Sequence, residues 1–166
     1  MEAIDKYIER LDDPAVRAWH RKLNHVGEAG PMTDDGTRAT EKLVAAAEQA
    51  LGVPLPPSYK KLVTTTEPYD NFPIYWVLGP DVFGGDIVSI NDPALKASPP
   101  FLIQLVDPGD GDEYCFDTRS PDGRGEYPIV RFDHEVHDEE STDFEAVAKD
   151  LGEFLLGSLP GPGSAA

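Results

Sequence analysis

The sequence predicts an α+β domain, a single mixed or antiparallel sheet of about five or six strands packed against helices. Three observations predict it. Apolar residues recur at helical spacing between Ile4 and Val63, short β-branched and aromatic runs follow one another from Ile74 to Phe132, and one apolar helical stripe returns from Phe144 to Leu155. A chain of 166 residues needs only one core, because at this size folding buries roughly 70% of the surface the unfolded chain exposes.

Ile4, Tyr7, Ile8 and Leu11 fall at i, i+3, i+4 and i+7, which puts them on one helical face. Asp13 followed by Pro14 has the form of an N-cap and first-turn proline, and Val16, Trp19, His20 and Leu23 continue the pattern in a second short helix. Three glycines, Pro31 and the Asp34-Asp35 pair then make residues 27–36 a loop, so that 1–36 reads as an N-terminal helical extension of a domain over 37–157. A third helix from about Thr40 presents Leu43, Val44, Ala47 and Leu51, ends at Gly52 and is stopped by Pro54; a fourth restarts at Pro57 with Tyr59, Leu62 and Val63.

Five runs at 74–78, 87–90, 101–106, 113–117 and 127–132 are expected as consecutive strands. The closing helix is expected from Thr142, which with Glu145 has capping-box spacing, with Phe144, Val147, Ala148, Leu151 and Leu155 as its buried stripe and Gly157 as its stop. Residues 158–166, rich in Pro and Gly, read as a disordered tail.

Charge restricts function more than composition does. The net charge is −17, and residues 101–166 hold 16 acids against 4 bases. Sequence-independent nucleic-acid binding and attraction to anionic membranes both require basic side chains, so neither partner is expected. A protein partner with a basic surface fits, as does a plain solubility role for the charge. The lone Cys115 cannot form an internal disulfide, no apolar run approaches the ~20 residues that span a bilayer, and the N-terminus lacks a secretory pattern; a cytoplasmic location is the expectation.

Residues 48–63, Glu-Gln-Ala-Leu-Gly-Val-Pro-Leu-Pro-Pro-Ser-Tyr-Lys-Lys-Leu-Val, carry a recognisable pattern: a helix ending in Glu-x-x-Leu-Gly, a Leu-Pro turn, then an aromatic-bearing helix. Gly111-Asp112-Glu113-Tyr114-Cys115-Phe116-Asp117, the run at 127–135 and the Phe144-Glu145-Ala146-Val147 segment follow in order. Together, from about Ala39 to Leu156, they resemble the SUKH superfamily, the SMI/KNR-like proteins. The resemblance implies one sheet packed on helices and, in bacteria, an immunity protein that neutralises a toxin, frequently a nuclease; other members resemble intracellular interaction modules of regulation. It brings no catalytic residues and no cofactor. Thr64-Thr65-Thr66-Glu67-Pro68 departs from the Asn-Gly common after the second motif helix, and residues 1–36 have no counterpart in the pattern.

The motif residues Leu51, Gly52, Leu55, Pro56, Tyr59, Tyr114, Phe116 and Phe144 read as structural: a left-handed helix stop, a proline break and core packing. Asp107, Asp110, Asp112 and Glu113 lie between two strands, in a segment too short and too rich in Gly and Pro for an EF-hand; an exposed acidic turn and part of a protein-binding surface are both open. Asp133, His134, Glu135, His137, Asp138, Glu139 and Glu140 offer metal donors without aligned histidines or a third strong ligand, and a solvated acidic loop is the alternative to a metal-dependent hydrolase site. No metal is assigned. Cys115 reads as a small buried hydrophobe, for want of a paired base. Tyr75 and Trp76 are adjacent on an expected strand, so one should face outward, which makes Trp76 a candidate anchor for a partner. The working reading is an acidic surface built from 107–113 and 133–143 that occupies a basic cleft of a toxin. Oligomeric state is not legible.

Overall fold

The computed structural model describes residues 2–24, 38–77 and 86–161. The expected loop at 27–36, Leu78 of the first expected strand and the tail from 162 lie outside the described residues. In chain order the elements are α1 (Ala3–Arg10), α2 (Pro14–Leu23), α3 (Glu41–Leu51), α4 (Pro57–Thr65), a 3-10 turn (Pro68–Asp70), α5 (Ile87–Ile90), β1 (Leu102–Val106), β2 (Glu113–Asp117), β3 (Ile129–Phe132), β4 (Glu145–Ala148) and α6 (Leu151–Ser158).

The first four helices form where their sequences place them. Asp13 accepts from Ala15 N at the start of α2, Thr40 accepts from Leu43 N at the start of α3, and Gly52 ends α3 in the left-handed region at φ 75°. The motif's Glu48 has a role that spacing alone did not show: its Oε1 accepts from Leu55 N at 2.8 Å, which ties the Leu-Pro turn back onto the helix before it. Pro56 precedes α4 as its N-cap, Leu55 and Tyr59 are buried, and the Tyr59 hydroxyl donates to Tyr75 O at 2.8 Å.

The sheet is antiparallel, with order β1-β2-β3-β4. Among the described residues four strands form where about five or six were expected, and each difference has a local cause. Residues 74–77 have no regular structure: Tyr75 N donates to Leu105 O at 2.8 Å, but the segment joins no strand of the sheet. The run at 87–90 is the short helix α5: Asp86 accepts from Val88 N and Ser89 N while Ser89 Oγ accepts from Asp86 N, a reciprocal cap that overrides the β-propensity of Ile87, Val88 and Ile90. The expected helix from Thr142 is strand β4 over its first part. Two capping candidates occupy this stretch, and the chain uses Asp150, whose carboxylate accepts from Glu153 N at 2.8 Å, so that the cap of α6 lies eight residues beyond Thr142. Pairing with β3 satisfies the backbone that the longer helix would have satisfied internally.

The main core lies between the sheet and the helices, and contains Leu55, Tyr59, Leu62, Ile103, Leu105, Phe116, Ile129, Leu151 and Leu155. Phe116 meets Tyr59 edge-on at 6.0 Å, and half-buried Tyr114 packs on Phe154 at 5.5 Å. The opposite face of the sheet buries a smaller cluster, Leu102, Cys115, Val130 and Phe132, under Phe101 and Phe144. Leu159, within the expected tail, packs against the main core.

The N-terminal helices are part of this fold. Ile4, Tyr7, Leu11 and Val16 belong to the main core, α1 packs on α6, and the Tyr7 hydroxyl accepts from Phe72 N at 3.1 Å. Helix α2 is fastened to the 3-10 turn through polar groups: His20 Nδ1 contacts Asp70 O at 2.9 Å, Arg21 pairs with Asp70 at 2.7 Å, and Asn24 donates to Asn71 O at 2.8 Å. Fully buried His20 is pushed down to about 4 by desolvation, against the opposing pull of Asp70. The unfolded chain therefore binds more protons between pH 6.5 and 4, and stability falls as pH drops through that window, by about 3 kcal/mol. Urea midpoints at pH 7 and pH 4.5 should fall further for the native chain than for His20→Gln.

Candidate functional site: an acidic surface organised by a buried aspartate

Antiparallel order places the β1–β2 loop (107–112) and the start of the β3–β4 connection (133–144) at the same end of the sheet. Asp112 joins them. It is 6% exposed, and its carboxylate accepts from Arg131 Nε at 2.8 Å, from the other end of the same guanidinium, from His134 N at 3.3 Å and from His134 Nδ1 at 3.0 Å. The His134 and Arg131 hydrogen bonds hold the Asp112 carboxyl below the usual range, and the bond to Asp112 holds the His134 imidazole above its own. Gly111, at φ 96°, lies flat against the imidazole; a Cβ there would sit 2.8 Å from His134 Cε1.

The connection beyond is pinned as well. Asp133 O accepts from His137 N at 2.8 Å, Asp133 N donates to His137 Nδ1 at 3.0 Å, and the His137 ring lies 4.8 Å from Phe144 and 5.8 Å from Phe132. At its far end Arg119 grips both oxygens of Asp117, donates to Thr142 O at 2.7 Å and stacks over Phe101 at 4.2 Å. These contacts hold the acidic segment as a shaped surface.

The expected partner-binding residues separate into two groups. Asp107, Asp110, Asp138, Glu139 and Glu140 are exposed, and Asp133 is half-buried. Asp112 is withdrawn from the surface by its ion pair, and Glu113 is half-buried with its carboxyl pushed up by burial. Trp76 is 3% exposed and Tyr75 7%, so neither faces outward. The segment is no edge strand open on one side: it is held by β1 through Tyr75 N and by α5, whose Ile87 N donates to Trp76 O at 2.8 Å. Sequence reasoning missed Arg131, His134 and Arg119 as the residues that shape the surface. Only the Asp117-x-Arg119 spacing was a readable signal, since Arg131 reaches Asp112 through strand register.

Asp112, Asp133 and His134 bring three potential metal donors within 4.8 Å of one another. Arg131 is bound to one of these carboxylates and 4.0 Å from the other, so a fixed positive charge already sits in the cluster. His137 is outside it, turned to Asp133 N and the aromatic rings. Cys115 is fully buried, and burial together with Glu113 raises its thiol well above the ordinary range.

All four bases of residues 101–166 are spent on internal ion pairs: Arg119 with Asp117, Arg124 with Asp122 and Asp150, Arg131 with Asp112, and Lys149 with Glu153. Asp107, Asp110, Glu135, Asp138, Glu139, Glu140, Asp143 and Glu145 remain exposed and, among the described residues, without an ion-pair partner. Removing the organiser should loosen both loops: Asp112→Asn is expected to speed hydrogen exchange at 107–111 and 133–137 while α3 and α4 keep their protection.

Fold and surface together define an α+β domain with an uncompensated, preorganised acidic face. The SMI1 / KNR4 family (SUKH-1) matches residues 38–157, and the chain belongs to that family. No curated protein matches the sequence. The match begins after α2, yet α1 shares the core of the matched region. No helix among the described residues is long and apolar enough to cross a membrane.

Proposed function

We propose that this protein is an immunity protein, which binds a protein toxin in the cytoplasm and blocks it without chemistry of its own. The observation that carries the reading is the row of eight exposed carboxylates from the β1–β2 loop to the start of β4, left unpaired because every nearby base is engaged elsewhere. A nuclease cleft is lined with basic groups that hold phosphates, and a fixed array of carboxylates can occupy such a cleft and steer fast encounter. Family membership supports a protein partner of this kind. The pinned loops support it too, because little conformational freedom is left to lose on binding.

The deciding experiment is co-expression with the product of the adjacent gene. Rescue of growth by this protein, together with a direct complex of the two purified chains, is the expected result. A neighbour that is not toxic, or a toxic neighbour that this protein neither binds nor neutralises, would refute the reading.

A further inference from the structure

Residues 133–143 hold six acids and a single apolar side chain, Val136. Val136 is 75% exposed. Among the described residues the other exposed large hydrophobic side chains are Leu95, in a turn before β1, and Val147, on the edge strand β4. Only Val136 stands within the acidic connection.

The fold does not account for a valine there. The turn that carries it is closed by other groups: Asp133 O accepts from Val136 N at 3.1 Å and from His137 N at 2.8 Å, Asp133 Oδ1 accepts from Glu135 N at 3.0 Å, and His137 Nδ1 accepts from Asp133 N at 3.0 Å. A serine would serve this turn as well, because no bond in it uses the side chain at 136. What the turn does is hold that side chain in water. His137 is turned inward to Phe132 and Phe144, and His134 is tied to Asp112 at 3.0 Å, so the backbone between two anchored residues keeps Val136 off the core. An apolar group presented in this way gains by burial in a complex, and a β-branched side chain has few rotamers to lose there.

The surroundings define the chemistry of what can bury it. Glu135, Asp138, Glu139 and Glu140 flank it in the chain and are all exposed, and the Asp112–His134 contact brings the loop of Asp107 and Asp110 to the same end of the sheet. A purely apolar partner would desolvate these carboxylates without compensation, whereas a basic rim pairs with them.

We propose that Val136 is the apolar anchor of the acidic face, received by the partner in an apolar socket rimmed with basic groups. The proposal rests on the reading of this face as the toxin-binding surface. It divides the work between residues: rim carboxylates set the association rate and its salt dependence, and the seated valine sets the dissociation rate. The test uses the purified product of the adjacent gene with the intact chain, native and Val136→Ser. The variant complex should dissociate at least about tenfold faster at both low and high salt. Its association rate and the melting temperature of the free chain should match the native values. Dissociation as slow as that of the native complex, an effect that disappears at high salt, or a free variant that melts lower would each overturn the anchor. A native chain that forms no complex with that product ends the immunity reading and the anchor together; a complex indifferent to Val136→Ser ends the anchor alone.

Discussion

Changing Asp110, Asp138, Glu139 and Glu140 together to the corresponding amides should slow association with the proposed toxin partner by about ten- to a hundredfold at low salt, and leave the melting temperature nearly unchanged. The magnitude follows from electrostatic steering, which raises on-rates by roughly 10–1000-fold and is lost as ionic strength rises. The choice of residues follows from the structure. All four are exposed and, among the described residues, carry no ion pair, so their removal costs the fold little. Asp112 would be the wrong target. Its carboxylate neutralises Arg131 and holds His134, so Asp112→Asn would mix a loss of charge with a loss of loop shape. Stopped-flow association at two salt concentrations checks the prediction: the native rate should fall steeply with salt and the variant's should not. A variant that associates as fast as the native protein would end the acidic-surface idea while leaving the immunity assignment to be judged by growth rescue.

Gly152→Ala should destabilise the protein, although alanine is the better helix former by about 1 kcal/mol. Gly152 lies in the first turn of α6, where α1 crosses it, and a Cβ would fall 2.4 Å from Ile4 N and 2.8 Å from Ala3 C. Those are backbone atoms, so relief requires α1 to move as a body, and with it Ile4 and Tyr7 from the main core. An overpacked core site costs about 1–3 kcal/mol, enough to cancel the propensity gain and reverse its sign. At about 2–4 °C per kcal/mol for a chain of this size, thermal melting resolves the change. Hydrogen exchange adds the location: α1 should lose protection first. A variant more stable than the native chain would mean that α1 is not held against α6 in this way, and that residues 1–36 are an extension loosely joined to the domain.

That expectation shows how far the pattern of residues reached. The spacing of Ile4, Tyr7 and Leu11 identified α1 as a helix with one apolar face. What the face packs on was not legible, because its partner is α6, about 150 residues away in the chain, and the only trace of the contact is a glycine with no local reason to be one. The closing helix failed differently. Thr142 with Glu145 and Asp150 with Glu153 both have capping spacing, and the choice between them was made by β3, which offers the first of the two segments a strand to pair with.

The acidic face divides along the same line. The sequence by itself determined the excess of carboxylates after residue 101, the motif helices α3 and α4 with their Gly52 stop, and the strands that became β1, β2 and β3, because charge, helical period and turn chemistry act over a few residues. The tertiary structure alone decided which carboxylates face a partner. Register brought Arg131 to Asp112, the sheet order put two loops at one end, and the packing of the main core took in Trp76. Each of these depends on contacts between residues far apart in the chain, which no local pattern encodes.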